Sequence, residues 1–267
     1  MLLAVNVGNS RIAVGVFNES GEIISKIKIS TDINKTSDEY ISVIRSILEE
    51  RTVNISLLDA SVISSVVPQL TATIREALFN LVGVEPLIVG PGVKTGFSIR
   101  IDTPSELGGD MVANAAAVIH NKNVGKTASG PCVIIDMNTV TTVSAINSSN
   151  EYIGCCIVPG IQMSFEVMHG NTALLPNVSF SSPDKVIGKN SQDAVRSGVI
   201  FGNALMLDGF VYRFAREMRC RGEDLNLTIT GEYAKYVLDV CSSEFIYDEE
   251  LTLKGLFYIY RNNIKAI

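Results

Sequence analysis

Leu2-Leu3-Ala4-Val5-Asn6-Val7-Gly8-Asn9-Ser10 and Val133-Ile134-Ile135-Asp136-Met137-Asn138-Thr139 decide the fold of this chain. Each is an apolar run ending in a tight polar turn, and each is followed by two more strand-like segments. After the first come Arg11 to Phe17, the turn Asn18-Glu19-Ser20-Gly21, and Glu22 to Ser30. After the second come Val140 to Ile146, the turn Asn147-Ser148-Ser149-Asn150, and Glu151 to Val158. Short turns between such segments make antiparallel hairpins, so each set predicts a three-stranded meander. The layout occurs twice, with Asp136 standing 130 positions after Asn6. A duplicated chain of this kind predicts two lobes facing each other across a cleft, with a polar hairpin in each to grip one phosphate chain.

The 267 residues allow one large or two medium domains with real cores. With 46% hydrophobic and 19% charged residues, the composition is that of a globular protein. A net charge of -6, with no basic cluster to offset it, argues against nucleic acid as the main partner. The start, Met-Leu-Leu-Ala-Val-Asn, has no basic region ahead of its short apolar stretch, unlike a signal peptide. No run of about 18 apolar residues predicts a membrane span. Five Cys, at 132, 155, 156, 220 and 241, are odd in number and sit in apolar contexts, which predicts reduced, buried thiols in a cytoplasmic protein. Two distant His without Cys-x-x-Cys speak against structural zinc.

Between the meanders the pattern predicts a helix opened by the capping-box sequence Thr36-Ser37-Asp38-Glu39, a strand over 58–67, a helix over 69–81 and a short strand at 86–89. Loop chemistry fills 90–105, and a helix follows over 109–121. The polar stretch 125–130 is the expected connector, giving lobes of 1–125 and 126–267. In the second half the pattern predicts helices at 161–170, 192–219, near 234–238 and at 251–262, with a strand at 225–230. Each lobe is thus α/β, a mixed sheet with an antiparallel meander and flanking helices.

Three constellations carry chemistry. In the first turn Gly8 permits close backbone approach, and Asn9 and Ser10 offer an amide and a hydroxyl to phosphate oxygens; on its own such a cluster usually means only a hairpin turn. In the second, Asp136 at a strand end suits a hard cation, and Thr139 suits a phosphate; a capped turn is the bland alternative. In the third, Pro104-Ser105-Glu106-Leu107-Gly108-Gly109-Asp110, Asp110 beside two glycines is either a helix cap or a base within reach of a substrate hydroxyl.

Taken in order, these motifs resemble the type III pantothenate kinases, members of the sugar kinase/Hsp70/actin superfamily. The resemblance also takes in Ser64-Ser65-Val66-Val67-Pro68, Gly154 through Pro159-Gly160, Thr172 to Pro176, Ile187-Gly188-Lys189-Asn190-Ser191, Thr228-Ile229-Thr230-Gly231 and Leu251 to Leu256, from about residue 2 to 263. It implies two ribonuclease-H-like lobes of the actin-like ATPase type, and ATP-dependent phosphorylation of pantothenate at the start of coenzyme A synthesis. It implies Asp110 as catalytic base, and Asp136 as the carboxylate for a monovalent cation, potassium or ammonium. ATP with Mg²⁺ would meet Asn6, Val7, Gly8, Asn9, Ser10, Arg11, Ile12, Ala13 and Thr139. Pantothenate would meet Gly108, Gly109, Asp110, Met111 and Ser191, the last where the family usually has Thr. It further implies a cytoplasmic homodimer.

The departures from the family pattern fall at the site. Asn6 stands where the family has Asp; its amide can ligate Mg²⁺ or its water but brings no charge. Met111 stands where an Arg usually pairs with the substrate carboxylate, a bond of the kind that contributes about 1.5–3 kcal/mol. Met137-Asn138 replaces a Gly-containing turn, Ile101 a common Tyr, and Glu232 a second Gly. They open two other readings: a regulatory nucleotide-binding relative like the Bvg accessory factors, or a kinase for a different small hydroxyl compound.

Overall fold

The computed structural model describes residues 1–120 and 130–264. The boundary expected at 125/126 lies outside the described residues. In chain order the elements are β1 (Leu2–Val7), β2 (Arg11–Phe17), β3 (Ile23–Ser30), α1 (Ser37–Glu50), β4 (Ala60–Ser65), α2 (Pro68–Val82), β5 (Leu87–Ile88), β6 (Ser98–Ile99), α3 (Gly109–His120), β7 (Cys132–Met137), β8 (Val140–Ile146), β9 (Glu151–Pro159), α4 (Ile161–Gly170), α5 (Ser191–Glu217), β10 (Asn226–Thr230), β11 (Ile246–Tyr247) and α6 (Leu251–Ile264).

Two sheets carry the fold. One runs β3-β2-β1-β4-β5 and the other β11-β10-β7-β8-β9-β6. Both contain an antiparallel meander whose first strand pairs in parallel with a later one: β1 with β4, and β7 with β10. The strand order of the first sheet therefore recurs in the second, as the duplicated sequence pattern predicts. Beyond that pattern the second sheet adds the two-residue β6, which is too short to leave a period-2 signature.

The chain divides into two compact units. The first comprises Met1–Ser98, Asp102–His120 and Glu250–Ile267; the second comprises Ile99–Ile101 and Asn121–Glu249. The closing helix α6 thus belongs with the first unit, whereas the sequence reading set all of 126–267 together.

In the first unit, strand alternation sorts side chains onto two faces. Leu3, Val5, Val7 and Ile63 join Tyr40, Ile44 and Leu48 of α1 and Leu70, Ile74 and Leu78 of α2 in one core. Full burial of such side chains contributes about 1.5–3 kcal/mol each. The N-terminus of α1 is fixed by the expected capping box, with Thr36 N donating to Glu39 Oε2 at 2.8 Å and Glu39 N to Thr36 Oγ1 at 3.3 Å. The Thr36 backbone N–H and hydroxyl both donate to the Glu39 carboxylate and hold it below its ordinary range. Leu2, Ala4 and Asn6 of β1, with Ala60, Val62 and Ser64 of β4, form the opposite face, against which α3 and α6 pack. These two helices approach so closely that a Cβ on Gly255 would strike the Ala113 carbonyl oxygen. Phe257 of α6 stacks on Phe17 at 5.1 Å.

In the second unit, Val133, Ile135, Met137 and Val143 pack with Ile161 and Phe165 of α4 and Val195, Val199, Ile200, Ala204, Leu207 and Val211 of α5. Helix α5 is long and apolar enough by composition to cross a membrane, but 44% of that stretch is buried within the protein. The buried residues of this helix belong to the core just described; spread along a wide face, they escape a search for uninterrupted apolar runs. The helix expected near 234–238 is two 3₁₀ turns, Ala234–Tyr236 and Leu238–Val240. The five cysteines are free; Cys132 is buried, but Cys155 is exposed, correcting the expectation of uniformly buried thiols. Cys155 lies on the outward side of the alternating strand β9.

Candidate active site

The first turn is closed by Gly8 N donating to Arg11 O at 3.0 Å, and by Thr31, whose Oγ1 donates to Gly8 O at 2.6 Å and whose N donates to Ser10 O at 3.1 Å. A Cβ on Gly8 would stand 2.9 Å from Arg11 O, which explains the glycine. Asn9, Ser10 and Arg11 are exposed, while the Val7 and Ile12 side chains lie in the core and leave only their backbone to a ligand. Ala13 is half-buried and pairs with Asn6.

Asn6 and Ser64 are register partners on adjacent parallel strands, at the carboxyl ends where open α/β sheets receive ligands. Asn6 Oδ1 and Ser64 Oγ are both buried without a hydrogen-bond partner. Helix α3 starts directly over them: a Cβ on Gly109 would be 2.8 Å from Ser64 Oγ. Ser64 opens the motif over 64–68 without a role of its own there; the signal for one is a hydroxyl near the end of a largely buried strand.

Asp110 is the second residue of α3 and not its cap. Its Oδ1 accepts from Met111 N at 2.8 Å and would stand 2.7 Å from a Cβ on Gly108. Desolvation pushes the carboxyl pKa up, against the pull of the backbone N–H groups of Met111 and Asp110. A carboxylate that has lost solvent and binds protons more readily is suited to general-base work. Met111 is buried, with 8% of its surface exposed. The first unit therefore brings together Asn6, the turn over 8–11, and Gly108, Gly109, Asp110 and Met111.

In the second unit, Asp136 is buried at the end of β7, and its Oδ1 accepts from Asn138 Nδ2 at 2.5 Å. Asn138 Oδ1 in turn accepts from Glu232 N at 3.2 Å, and Met137 O from Tyr233 N at 3.0 Å. Gly231 has φ +97°, and a Cβ there would lie 2.5 Å from Met137 N and O. Met137 and Asn138 are not among the described residues with positive φ, so their turn does not demand glycine. Thr139 is half-buried, and its carbonyl oxygen would stand 2.5 Å from a Cβ on Gly160.

Ser191 is exposed as the first residue of α5, after the cap Asn190, whose Oδ1 accepts from Asp193 N at 2.9 Å. In the second unit Arg100 Nε pairs with Glu151 Oε1 at 2.8 Å, and Arg196 Nη1 with Asp193 Oδ1 at 3.1 Å. Among the described residues no group of three or more His, Cys, Asp or Glu is arranged to hold a metal ion.

Solved structures share this fold. A protein from Campylobacter jejuni described as a Baf family transcriptional activator is 17% identical, with a TM-score of 0.60 over 98% of this chain and 99% of its own. A protein from Sinorhizobium meliloti described as a 2-dehydro-3-deoxygalactonokinase is 12% identical, with a TM-score of 0.54 over 98% and 99%. The activator of 2-hydroxyisocaproyl-CoA dehydratase from Clostridium difficile is 8% identical, with a TM-score of 0.51 over 100% and 97%. The architecture is that of the actin-like sugar kinases and ATPases. Within that class, the family model described as type III pantothenate kinase matches residues 2–213, and the chain belongs to that family. Membership supports kinase chemistry and the use of ATP.

Proposed function

We propose that the protein transfers the γ-phosphoryl group of ATP to the terminal hydroxyl of pantothenate. The observation that carries this reading is Asp110, a desolvated carboxylate with raised proton affinity at the start of α3, in a chain of the pantothenate kinase family. In the reaction a bond forms between the substrate oxygen and the γ-phosphorus, and the bond to the β–γ bridging oxygen breaks. Asp110 takes the hydroxyl proton. In the first unit the exposed Asn9 and Ser10 and the backbone of Gly8 hold phosphates, and Gly108 and Gly109 line the acceptor side. Phosphoryl transfer rests on positioning and charge stabilisation, which such a set supplies.

The cations implied by the resemblance fare differently. A monovalent ion, which screens charge on the phosphates when bound, fits Asp136: a single buried carboxylate in a turn rich in neutral oxygens. A divalent ion at the first turn does not fit, because Asn6 brings no charge and its Oδ1 is turned into the protein. The reading includes a cytoplasmic homodimer; Leu205 and Tyr212, seven residues apart on one side of α5, are 67% and 60% exposed and support a subunit contact there.

One observation favours a second acceptor. The buried, apolar Met111 offers no charge to a carboxylate, which suits a neutral hydroxyl compound. The deciding experiment is ATP-dependent phosphorylation of pantothenate and of neutral alcohols, with Mg²⁺ and potassium or ammonium, beside an Asp110→Asn control. Turnover of pantothenate that the control loses is the expected result. Turnover of neutral acceptors alone refutes pantothenate as substrate, and no turnover by a folded protein refutes the kinase.

A further inference from the structure

Asn6 and Asp136 hold equivalent places, each penultimate in the first strand of its meander. Their parallel neighbours are equivalent too, Ser64 for one and Thr230 for the other. The two side chains are nonetheless handled differently. Asp136 Oδ1 is held by an amide N–H, while Asn6 Oδ1 is buried and takes no hydrogen bond. The nearest strand offers one candidate donor at that register, Ser64, whose hydroxyl is itself buried and unpaired. Neighbouring strands are about 4.8 Å apart, and the two side chains rise from the same face, so a turn of Ser64 about χ1 brings its O–H to the Asn6 oxygen. Both atoms have almost no solvent-accessible surface, and Gly109 closes over Ser64. Buried polar groups are seldom left unmatched, and here one lone acceptor sits beside one lone hydroxyl.

With the oxygen end of the amide facing inward, Nδ2 and its two hydrogens face the partly exposed side of the residue. An outward NH₂ group donates to an anion and repels a cation. We propose that Ser64 is a positioning residue that fixes the Asn6 amide with its oxygen inward, so that the first turn holds a nucleotide phosphate directly through Nδ2–H rather than through a divalent ion. The proposal rests on the reading that the protein binds ATP. It makes nucleotide binding at this turn independent of Mg²⁺, whereas a carboxylate in the same place needs the metal to offset its repulsion of phosphate.

The test is calorimetric titration of a non-hydrolysable ATP analogue into the full-length protein, with Mg²⁺ and with EDTA. The wild type, Asn6→Asp and Ser64→Ala are compared. The wild type should bind in EDTA within about threefold of its affinity in Mg²⁺, and Ser64→Ala should weaken binding in EDTA by about threefold to tenfold. Asn6→Asp should lose more than about tenfold in EDTA and recover when Mg²⁺ is added. A wild type that needs Mg²⁺ as much as Asn6→Asp does would mean the amide oxygen faces outward, and would overturn the proposal while leaving the kinase reading intact. Unchanged binding by Ser64→Ala removes Ser64 from its role. A folded wild type that binds no nucleotide in either condition overturns both readings.

Discussion

Gly231→Ala should break the second turn, and the cost can be worked from two features. First, Gly231 has φ +97°, a conformation that costs an L-residue about 1–3 kcal/mol. Second, the new methyl would lie 2.5 Å from Met137 N and O, both backbone atoms in a strand, and forced overpacking of this kind costs about 1–3 kcal/mol. The sum is about 2–6 kcal/mol. For a domain of this size each kcal/mol is worth roughly 2–4 °C, so the melting temperature should fall by on the order of 10 °C. Relief by local movement pulls Met137 away from Tyr233 N and Asn138 away from Glu232 N, distorting the turn that carries Asp136 and Thr139. The assay is urea and thermal unfolding, with Gly222→Ala as control. Gly222 is exposed, has no positive φ and has open space around an added Cβ, so the control should stay within about 0.5 kcal/mol of wild type. A Gly231→Ala protein within about 1 kcal/mol of wild type would show that the turn yields cheaply, and would refute the argument from close approach.

Asp110→Asn should cut turnover by about 10²–10⁴-fold, measured as initial rates, with nucleotide affinity unchanged. Its stability should carry a pH signature. Because burial raises the folded-state pKa, the folded protein holds the proton more tightly than the unfolded chain, so the stability conferred by protonation is lost as pH rises from the ordinary aspartate range through the raised value. The Asn variant should therefore gain on the wild type as pH rises above the ordinary aspartate range in urea melts, and a pH-independent difference refutes the desolvated carboxylate. Met111→Arg puts an unpaired charge at a buried position and should cost about 3–5 kcal/mol. Pantothenate, but not a neutral analogue, should recover part of that loss in a thermal-shift assay; equal shifts with both would mean that position 111 does not face a carboxylate.

Much of the architecture is legible because it is written in short-range patterns. The meanders follow from period-2 alternation punctuated by Asn-Glu-Ser-Gly and Asn-Ser-Ser-Asn, and α1 from Thr36 and Glu39 at capping-box spacing. What was hidden depends on distant partners. Nothing in Leu251–Ile264 announces that it packs against β1, β4 and α3, since its helical period would serve either unit equally. The candidate residues were found by motif order, but their condition was not. That Met111 is buried, that Val7 and Ile12 point into the core and that Asn6 Oδ1 has no donor are products of packing. Ser64 falls within a motif that carries the resemblance, but a serine in an apolar strand has no assignable role until its neighbour across the sheet is known.

The placement of α6 sets a schedule for the ribosome. The first unit is interrupted after His120 and resumes only at Glu250, so strands β1 and β4 emerge long before the helix that covers one of their faces. At about 5–20 residues per second, the intervening segment takes several seconds or more to synthesise. During that time α1 and α2 can dock on one side of the sheet and α3 on part of the other, while the portion of that second face covered by α6 stays open to the nascent chain's surroundings. A chaperone that shields apolar strands should therefore engage the growing chain between these two points, and ribosome-bound chains stopped before residue 250 should be more sensitive to protease than chains released after α6 is made.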